Sequence, residues 1–101
     1  MNLDIKALHF SLHDDAKEYL NKKLERLRNV ENMLVDLIIT LKKEKNFEAE
    51  AKVNFRWGVT THVKEEDFEL TKAIDKMMDK LEAKVTKEKE KVKEKRENLI
   101  P

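Results

Sequence analysis

The chain has 101 residues, of which 40% are hydrophobic and 43% are charged, and its formal net charge is +1. A chain of this length supports one domain with one modest core under a densely charged surface. The lack of cysteine excludes disulfides and thiolate sites and is typical of a reducing compartment. Neither a signal peptide nor a stretch of transmembrane length is visible, so we expect a soluble, cytoplasmic protein.

The first half of the chain predicts a strand, a helix and a second strand. Apolar and charged residues alternate over residues 2–9, which indicates a half-buried strand. Residues 14–29 carry apolar side chains at spacings of four, four and three behind two aspartates, as in an amphipathic helix. Over residues 34–44, one face carries Val35, Leu37, Ile39 and Leu41, and the β-branched side chains favour a strand.

The second half predicts a hairpin and a long helix. Residues 47–57 alternate regularly, so that Trp57 continues the inward-facing set of a third strand. Gly58, the only glycine, suits a tight turn into a fourth strand over 59–64. Asp67 is a candidate N-cap for a helix whose apolar stripe runs from Leu70 to Val85 and whose pattern continues to about Glu97.

These elements define an α+β fold, a two-layer β-α-β-β-β-α sandwich. Strands joined through a helix are parallel by the crossover rule, so we expect strands one and two to be parallel and the others antiparallel. The result is a four-stranded mixed sheet with both helices on its single apolar face. No internal repeat or flexible linker divides the chain.

The last helix carries a regular row of lysines, which we call the basic stripe. Its members recur every three or four residues and fall within a sector of roughly 140° at 100° per residue. They are Lys72, Lys76, Lys80, Lys84, Lys87, Lys91 and Lys95. Asp75, Asp79 and Glu82 lie on the other side of the apolar stripe. The near-zero net charge therefore conceals a segregated basic face.

Two interpretations of the basic stripe remain open on residue types alone. Cations at this spacing, flanked by Lys22, Lys23, Arg26 and Arg28 of the first helix, can follow a nucleic-acid backbone without reading bases. Alternatively, the stripe is a solvated face held by pairs within the helix, such as Glu88 with Lys84 or Glu90 with Lys87.

Nothing in the sequence predicts catalysis. His9, His13 and His62 do not suggest the converging ligands that zinc requires, so no metal site is expected. Acid pairs such as Glu48 and Glu50 lack any sign of a pocket, and no nucleophile or glycine-rich phosphate motif is present. We expect no enzymatic activity, no cofactor, no small-molecule substrate and no membrane partner. Trp57, Met77 and Met78 are interpreted as packing residues.

The element order, the segment YLNKKLERL and above all AIDKMMDKLEAKVTK resemble the ribosome hibernation-promoting factor family, which includes the ribosome-associated inhibitor also called protein Y. The resemblance covers nearly the whole chain. It implies a fold akin to double-stranded-RNA-binding domains, with residues 1–97 as one ribosome-binding domain and 98–101 as a short tail. The chain resembles the short form of the family, or a long form cut at its domain boundary.

The resemblance also implies a function in translation silencing. Members dock in the small ribosomal subunit between head and body, where they occlude the mRNA and tRNA sites. By position, the family's RNA-contacting residues correspond to Lys23, Arg26, Lys80, Lys84 and Lys87. To these we add Lys22, Lys76 and Lys91 from the charge pattern. We expect a protein that is monomeric off the ribosome. The alternatives are a generic double-stranded-RNA-binding module and a protein-interaction module that uses the projecting last helix.

Overall fold

The computed structural model describes the backbone of residues 1–99 and the side chains of residues 1–92. Its elements follow in the order β1 (Asn2–Leu8), α1 (Asp14–Leu24), a 3₁₀ helix (Glu25–Met33), β2 (Leu34–Lys43), β3 (Phe47–Phe55), β4 (Thr60–Asp67) and α2 (Leu70–Leu99). The strands lie in the order β1-β2-β3-β4, with β1 parallel to β2 and the other pairs antiparallel. The predicted mixed sheet and element order are confirmed. The predicted tail, 98–101, begins within α2, and its last two residues lie outside the described range.

The core lies between one face of the sheet and both helices. α2 packs across β3 and β4, where Ala49 and Ala51 are fully buried and their small side chains allow a close approach. From α2, the buried residues Met77 and Met78 fill the core, as predicted. The other buried apolar residues are Leu20, Leu27, Leu34, Leu37, Ile39, Leu41, Val53, Phe55, Val63, Ala73, Ile74, Leu81 and Val85.

The first helix is shorter than predicted. α1 ends at Leu24, and the chain continues as a 3₁₀ helix through Met33, where the sequence pattern predicted α-helix to residue 29. Leu24, Leu27, Val30 and Met33 follow one another at steps of three, and all are buried or half-buried. Three residues per turn is the 3₁₀ repeat, so this tighter helix keeps all four side chains on the core side.

The start of β2 corrects a second prediction. Val35 was expected on the inner face, but its side chain is 43% exposed while Leu34 is buried. The pairing of β2 with β3 shifts between Leu34 and Asp36, so Val35 is the extra residue of a β-bulge. Because side chains alternate along a strand, the inserted residue places the side chain of Leu34 on the core face and that of Val35 on the exposed face.

The β3–β4 connection differs from the prediction at Trp57. β3 ends at Phe55, and Trp57 lies in the turn with 37% of its surface exposed. Its ring stacks on Phe55 at 5.2 Å, so it packs beside the core instead of extending the strand. Gly58 adopts a φ of 87°, the conformation for which glycine was predicted here.

The start of α2 lies beyond the predicted cap. Asp67 is the last residue of β4, three residues later than the predicted strand end, and α2 begins at Leu70. The Asp67 carboxylate still closes the turn, because it accepts a hydrogen bond of 3.0 Å from the backbone N–H of Glu69.

The second half of α2 extends past the sheet. Among the α2 side chains that the structure describes, Val85 is the last that is buried, and Val92 is only half-buried. The described part of the protein is 54 Å long and about 20 Å wide. Among the helices of residues 1–99, none combines the length and apolar character needed to cross a bilayer.

Candidate nucleic-acid interface

The basic stripe lies along the edge strand β4, which carries carboxylates toward α2. Lys76 Nζ is 2.9 Å from the Asp67 carboxylate, and Lys80 pairs with Glu65. A four-residue step on a helix and a two-residue step on a strand both span about 6 Å, so the two pairs match in register. Both carboxylate side chains are only 19% exposed. The structure therefore neutralises two of the predicted RNA-binding lysines within the protein.

The position of Asp67 perturbs its titration. The Glu69 backbone N–H and, after it, the Lys76 ammonium hold the pKa of the Asp67 carboxyl below its usual range. The same contact raises the pKa of Lys76. Ionised Asp67 therefore stabilises the folded protein at neutral pH, and this contribution is lost as the pH falls through the folded-state pKa, below a pH of about 4.

Replacement of Asp67 by asparagine is expected to make the free energy of unfolding less dependent on pH in the acidic range. The free energy of unfolding, measured with urea at several pH values between about 2 and 7, should fall less steeply in Asp67→Asn than in the parent. Glu66→Gln is the matched control, because Glu66 is exposed on the opposite face of β4 and forms no ion pair with a described side chain. If the free energy of unfolding falls equally steeply with decreasing pH in Asp67→Asn and in the parent, the role assigned to the Asp67 carboxylate is contradicted.

The distal lysines, defined as Lys84, Lys87 and Lys91, differ from the first half of the stripe. Lys84 Nζ donates a hydrogen bond of 2.9 Å to the backbone carbonyl of His62. Among the described side chains, Lys87 and Lys91 have no ion-pair partner. Lys72 has only a contact of 3.7 Å with Glu69, and the side chain of Lys95 lies outside the described part. Within residues 72–91, the basic stripe is thus divided into a half with ion pairs and a half whose ammonium groups have no ion-pair partner among the described side chains.

The distal lysines face a shallow depression between α2 and the start of β4, which we call the distal hollow. Its volume is about 300 Å³. Its lining residues are Thr60, Thr61, His62, Lys84, Lys87, Glu88 and Lys91. Glu88 is the only carboxylate among them. Its Oε1 accepts a hydrogen bond of 3.0 Å from the indole N–H of Trp57, in place of the Lys84 partner that the solvated-face interpretation assigns to it.

The basic residues of α1 and of the 3₁₀ helix that follows it lie on the other flank of α2. Lys23 Nζ is 3.3 Å from Asp75, and the Arg26 guanidinium is 3.4 Å from Asp79 and 3.6 Å from Glu82. These ion pairs attach α1 and the 3₁₀ helix to the acidic side of α2, opposite β4. The predicted groove with cations of both helices along the stripe is therefore not formed. Lys22 is exposed and has no ion pair with another described residue.

The aspartate of the Ala-Ile-Asp motif organises this flank. Ala73 and Ile74 are fully buried, whereas the Asp75 carboxylate accepts a hydrogen bond of 2.5 Å from the Tyr19 hydroxyl and pairs with Lys23. The hydrogen bond to Asp75, with a smaller contribution from burial, raises the pKa of Tyr19. The motif thus combines core packing with a polar contact between the two helices.

Removal of the Tyr19 hydroxyl is expected to weaken this contact measurably. Because Asp75 is 41% exposed, we expect Tyr19→Phe to lower the free energy of unfolding by about 1 kcal/mol, less than a fully buried charged hydrogen bond. Urea unfolding at pH 7 measures the effect. In an Asp75→Ala background the same change should cost almost nothing, and an unchanged cost there would show that the hydrogen bond does not stabilise the protein.

Several residues of this interface could not be identified from the sequence pattern. Glu65 and Asp67 continue the inward alternation of Val63, but the predicted β4 ends at residue 64, so no sequence pattern oriented them toward α2. Thr61 and the contact between Trp57 and Glu88 depend on where the hairpin meets α2. That position is not encoded in any local pattern.

A mixed four-stranded sheet, covered on one face by two helices, is an architecture shared with proteins of known structure. One is a ribosomal subunit interface protein from Coxiella burnetii, with a TM-score of 0.80 and 23% identity over 88% of this chain and 98% of that one. Another is the N-terminal domain of Thermus thermophilus Protein Y, with a TM-score of 0.75 and 30% identity over 86% of this chain and 98% of that one.

The chain belongs to the Sigma 54 modulation protein / S30EA ribosomal protein family, whose model matches residues 3–93. The resemblance inferred from the sequence is thereby confirmed. No curated protein sequence matches the chain. Family membership makes this protein a ribosome-associated hibernation or interface factor.

Proposed function

We propose that this protein silences translation by binding the small ribosomal subunit in its decoding region and blocking the mRNA and tRNA sites. Family membership supports the ribosome as target, and Protein Y and the Coxiella subunit interface protein share the fold. The structural observation that carries the proposal is the row of Lys84, Lys87 and Lys91 on α2, whose ammonium groups have no ion-pair partner among the described side chains. Cations displayed in a row bind phosphates through counterion release and need no catalytic group.

Within this proposal, residues 1–97 act as one ribosome-binding domain in the cytoplasm, and the protein is monomeric off the ribosome. Lys84, Lys87 and Lys91 carry most of the RNA affinity. Lys76 and Lys80 contribute once the RNA competes with Asp67 and Glu65 for their ammonium groups. Lys22, Lys23 and Arg26 contact RNA from the α1 side, where Lys23 and Arg26 also hold the helices together.

Co-sedimentation in sucrose gradients tests the proposed target. The purified protein is mixed with small subunits and with intact ribosomes, at low and moderate salt, with excess RNA duplex as competitor. We expect co-migration that survives the competitor and that is reduced by prebound mRNA and tRNA. Loss of co-migration to any duplex would indicate a generic RNA-binding module. Self-association at high salt in sedimentation velocity would indicate a protein-interaction module.

The internal ion pair of Lys80 leads to a further expected result. Glu65→Gln should free the Lys80 ammonium and strengthen binding to small subunits about 3- to 10-fold at low salt, because one more phosphate contact becomes available. Fluorescence anisotropy or filter binding measures the change. Glu18→Gln is the matched control, since it removes the same charge from an exposed α1 residue that has no ion pair with a described side chain. An equal gain in both variants would show that the stronger binding comes from the change in net charge alone.

A further inference from the structure

The two edges of the sheet are protected to different degrees. β4 forms one edge, and two of its inward-facing side chains, Glu65 and Asp67, are charged and paired with lysines of α2. The backbone carbonyls of His62 and Glu66 also accept hydrogen bonds from lysine ammonium groups of α2, at 2.9 Å and 3.4 Å. Inward-pointing charges and coverage by a neighbouring helix commonly prevent a further strand from adding to an edge. The β4 edge is therefore closed to strand addition.

The β1 edge has none of these devices within the described part of the chain. β1 pairs with β2 over seven consecutive residues, from Asn2 to Leu8, without a bulge or a proline. Among residues 1–92, only β2 forms hydrogen bonds with the backbone of β1. Since alternate residues of a strand direct their N–H and C=O groups to opposite sides, a row of backbone donors and acceptors faces outward from β1.

The apolar face of β1 is incompletely covered. Leu3 is 43% exposed, and Ile5 and Ala7 are only half-buried, whereas their partners in β2 are fully buried. Two depressions with volumes of about 270 and 410 Å³ lie between these residues and the helical layer of α1 and the 3₁₀ helix. Asn21 lines both, so they adjoin along the length of β1. This groove, which we call the β1 groove, offers apolar surface to the side chains of an added strand.

The open face of β1 carries an ordered pair of charges. Asp4 and Lys6 lie on the face of the sheet away from the helices, and both side chains are exposed. Their partners in β2, Ile38 and Thr40, are uncharged. In an antiparallel pair, directly opposite residues of opposite charge stabilise the pairing, and like charges destabilise it. An added antiparallel strand is therefore favoured when an anion opposite Lys6 is followed two residues later by a cation opposite Asp4.

We propose that the β1 edge binds an extended segment of a partner protein, which adds to the sheet as a fifth, antiparallel strand. Its inward side chains are apolar and enter the β1 groove, and its outward side chains include an anion followed by a cation. Another polypeptide backbone supplies donors and acceptors at the spacing of a strand, so backbone pairing defines the class of ligand. This inference does not rest on the proposed function, because β1 and the distal lysines lie at opposite edges of the sheet.

A second copy of the chain fits this edge less well than a free segment does. Its β1 has the same order of charges, so the outward pairs form equally well. Its inward residues, however, are already half-covered by its own α1 and 3₁₀ helix, and these helices would meet those of the first copy above the paired strands. A free segment brings uncovered side chains into the β1 groove and no second helical layer.

Two synthetic peptides of identical composition test the proposal. The matched peptide reads Thr-Val-Glu-Val-Lys-Val-Thr, the exchanged peptide reads Thr-Val-Lys-Val-Glu-Val-Thr, and both are blocked at their ends and labelled with fluorescein. The full chain is titrated into each peptide at trace concentration, and fluorescence anisotropy measures binding. We expect the matched peptide to bind saturably and the exchanged peptide to bind about 3- to 5-fold more weakly at low salt. The exchanged peptide either opposes like charges or pairs in the less stable parallel direction.

Variants of exposed β1 residues locate the binding edge. Asp4→Lys combined with Lys6→Glu keeps the net charge and should reverse the preference between the two peptides. Leu3→Lys places a charge inward, as in naturally protected edges, and should abolish binding of both peptides. Leu8→Lys is the matched control, because Leu8 is equally exposed, at 42%, but lies on the open face, so this variant should retain binding. Circular dichroism checks that each variant is folded.

The opposite outcomes overturn the proposal. If neither peptide binds the parent, if both bind equally, or if the charge-exchanged variant keeps the preference of the parent, the β1 edge is not the site described. Displacement of the matched peptide by a short RNA duplex would assign the edge to nucleic acid instead. Self-association of the parent in sedimentation velocity that Leu3→Lys abolishes would assign it to a second copy of the chain.

Discussion

Replacing Lys84, Lys87 and Lys91 with glutamate is expected to weaken binding to the small ribosomal subunit by about 100-fold or more. Each change removes one cation from the side of α2 that we propose faces phosphate, and adds an anion that phosphate repels. If each costs at least about 1 kcal/mol, the sum of about 3 kcal/mol corresponds to two orders of magnitude. Co-sedimentation over a salt series measures the loss. The fold should persist, because all three side chains are exposed.

The choice of positions follows from the ion pairs of α2. Reversal of Lys80 would place a new carboxylate beside Glu65, so weakened binding in such a variant would also reflect a disturbed contact between α2 and β4. The matched control reverses Lys17, Lys45 and Lys52, which are exposed and have no ion pair with a described side chain. Equal losses in both triple variants would show that binding depends on total charge and would refute the assigned face.

Truncation of Leu81 to alanine is expected to lower the free energy of unfolding by about 3 kcal/mol. Leu81 is fully buried among the α2 residues that face the sheet, so its removal loses apolar burial and leaves a cavity. For a domain with a total stability of order 5–15 kcal/mol, this is a large share. Urea unfolding followed by circular dichroism measures the change.

A leucine at the surface provides the control for this truncation. Leu8 is 42% exposed at the end of β1, and Leu8→Ala should cost less than about 1 kcal/mol. Comparable costs at both positions would contradict the packing of α2 described above. Because the distal lysines depend on this helix for their position, Leu81→Ala should also reduce ribosome binding at temperatures where the variant is partly unfolded.

The elements of the fold could be predicted because their signals are local. Alternation in β3 and the apolar stripe of α2 each report one face of one element, whatever surrounds it. The 3₁₀ helix also left a signal, the three-residue spacing from Leu24 to Met33, but it was interpreted as the end of an α-helix. The bulge at Val35 could not be predicted, because it depends on how β2 pairs with β3.

The same distinction applies to the candidate interface. The basic stripe on α2 was determined by the sequence alone, because helical geometry places residues three and four apart on one face. Which of its lysines carry free charge was decided only by the tertiary structure, since their partners in β4 are close in space but 9 to 22 residues distant in the chain. Packing brings Asp67 and Glu65 to the first half of the stripe and the hairpin turn to the second. The helix alone therefore sets the pattern of charges, and the tertiary fold sets which of these charges remain available to a ligand.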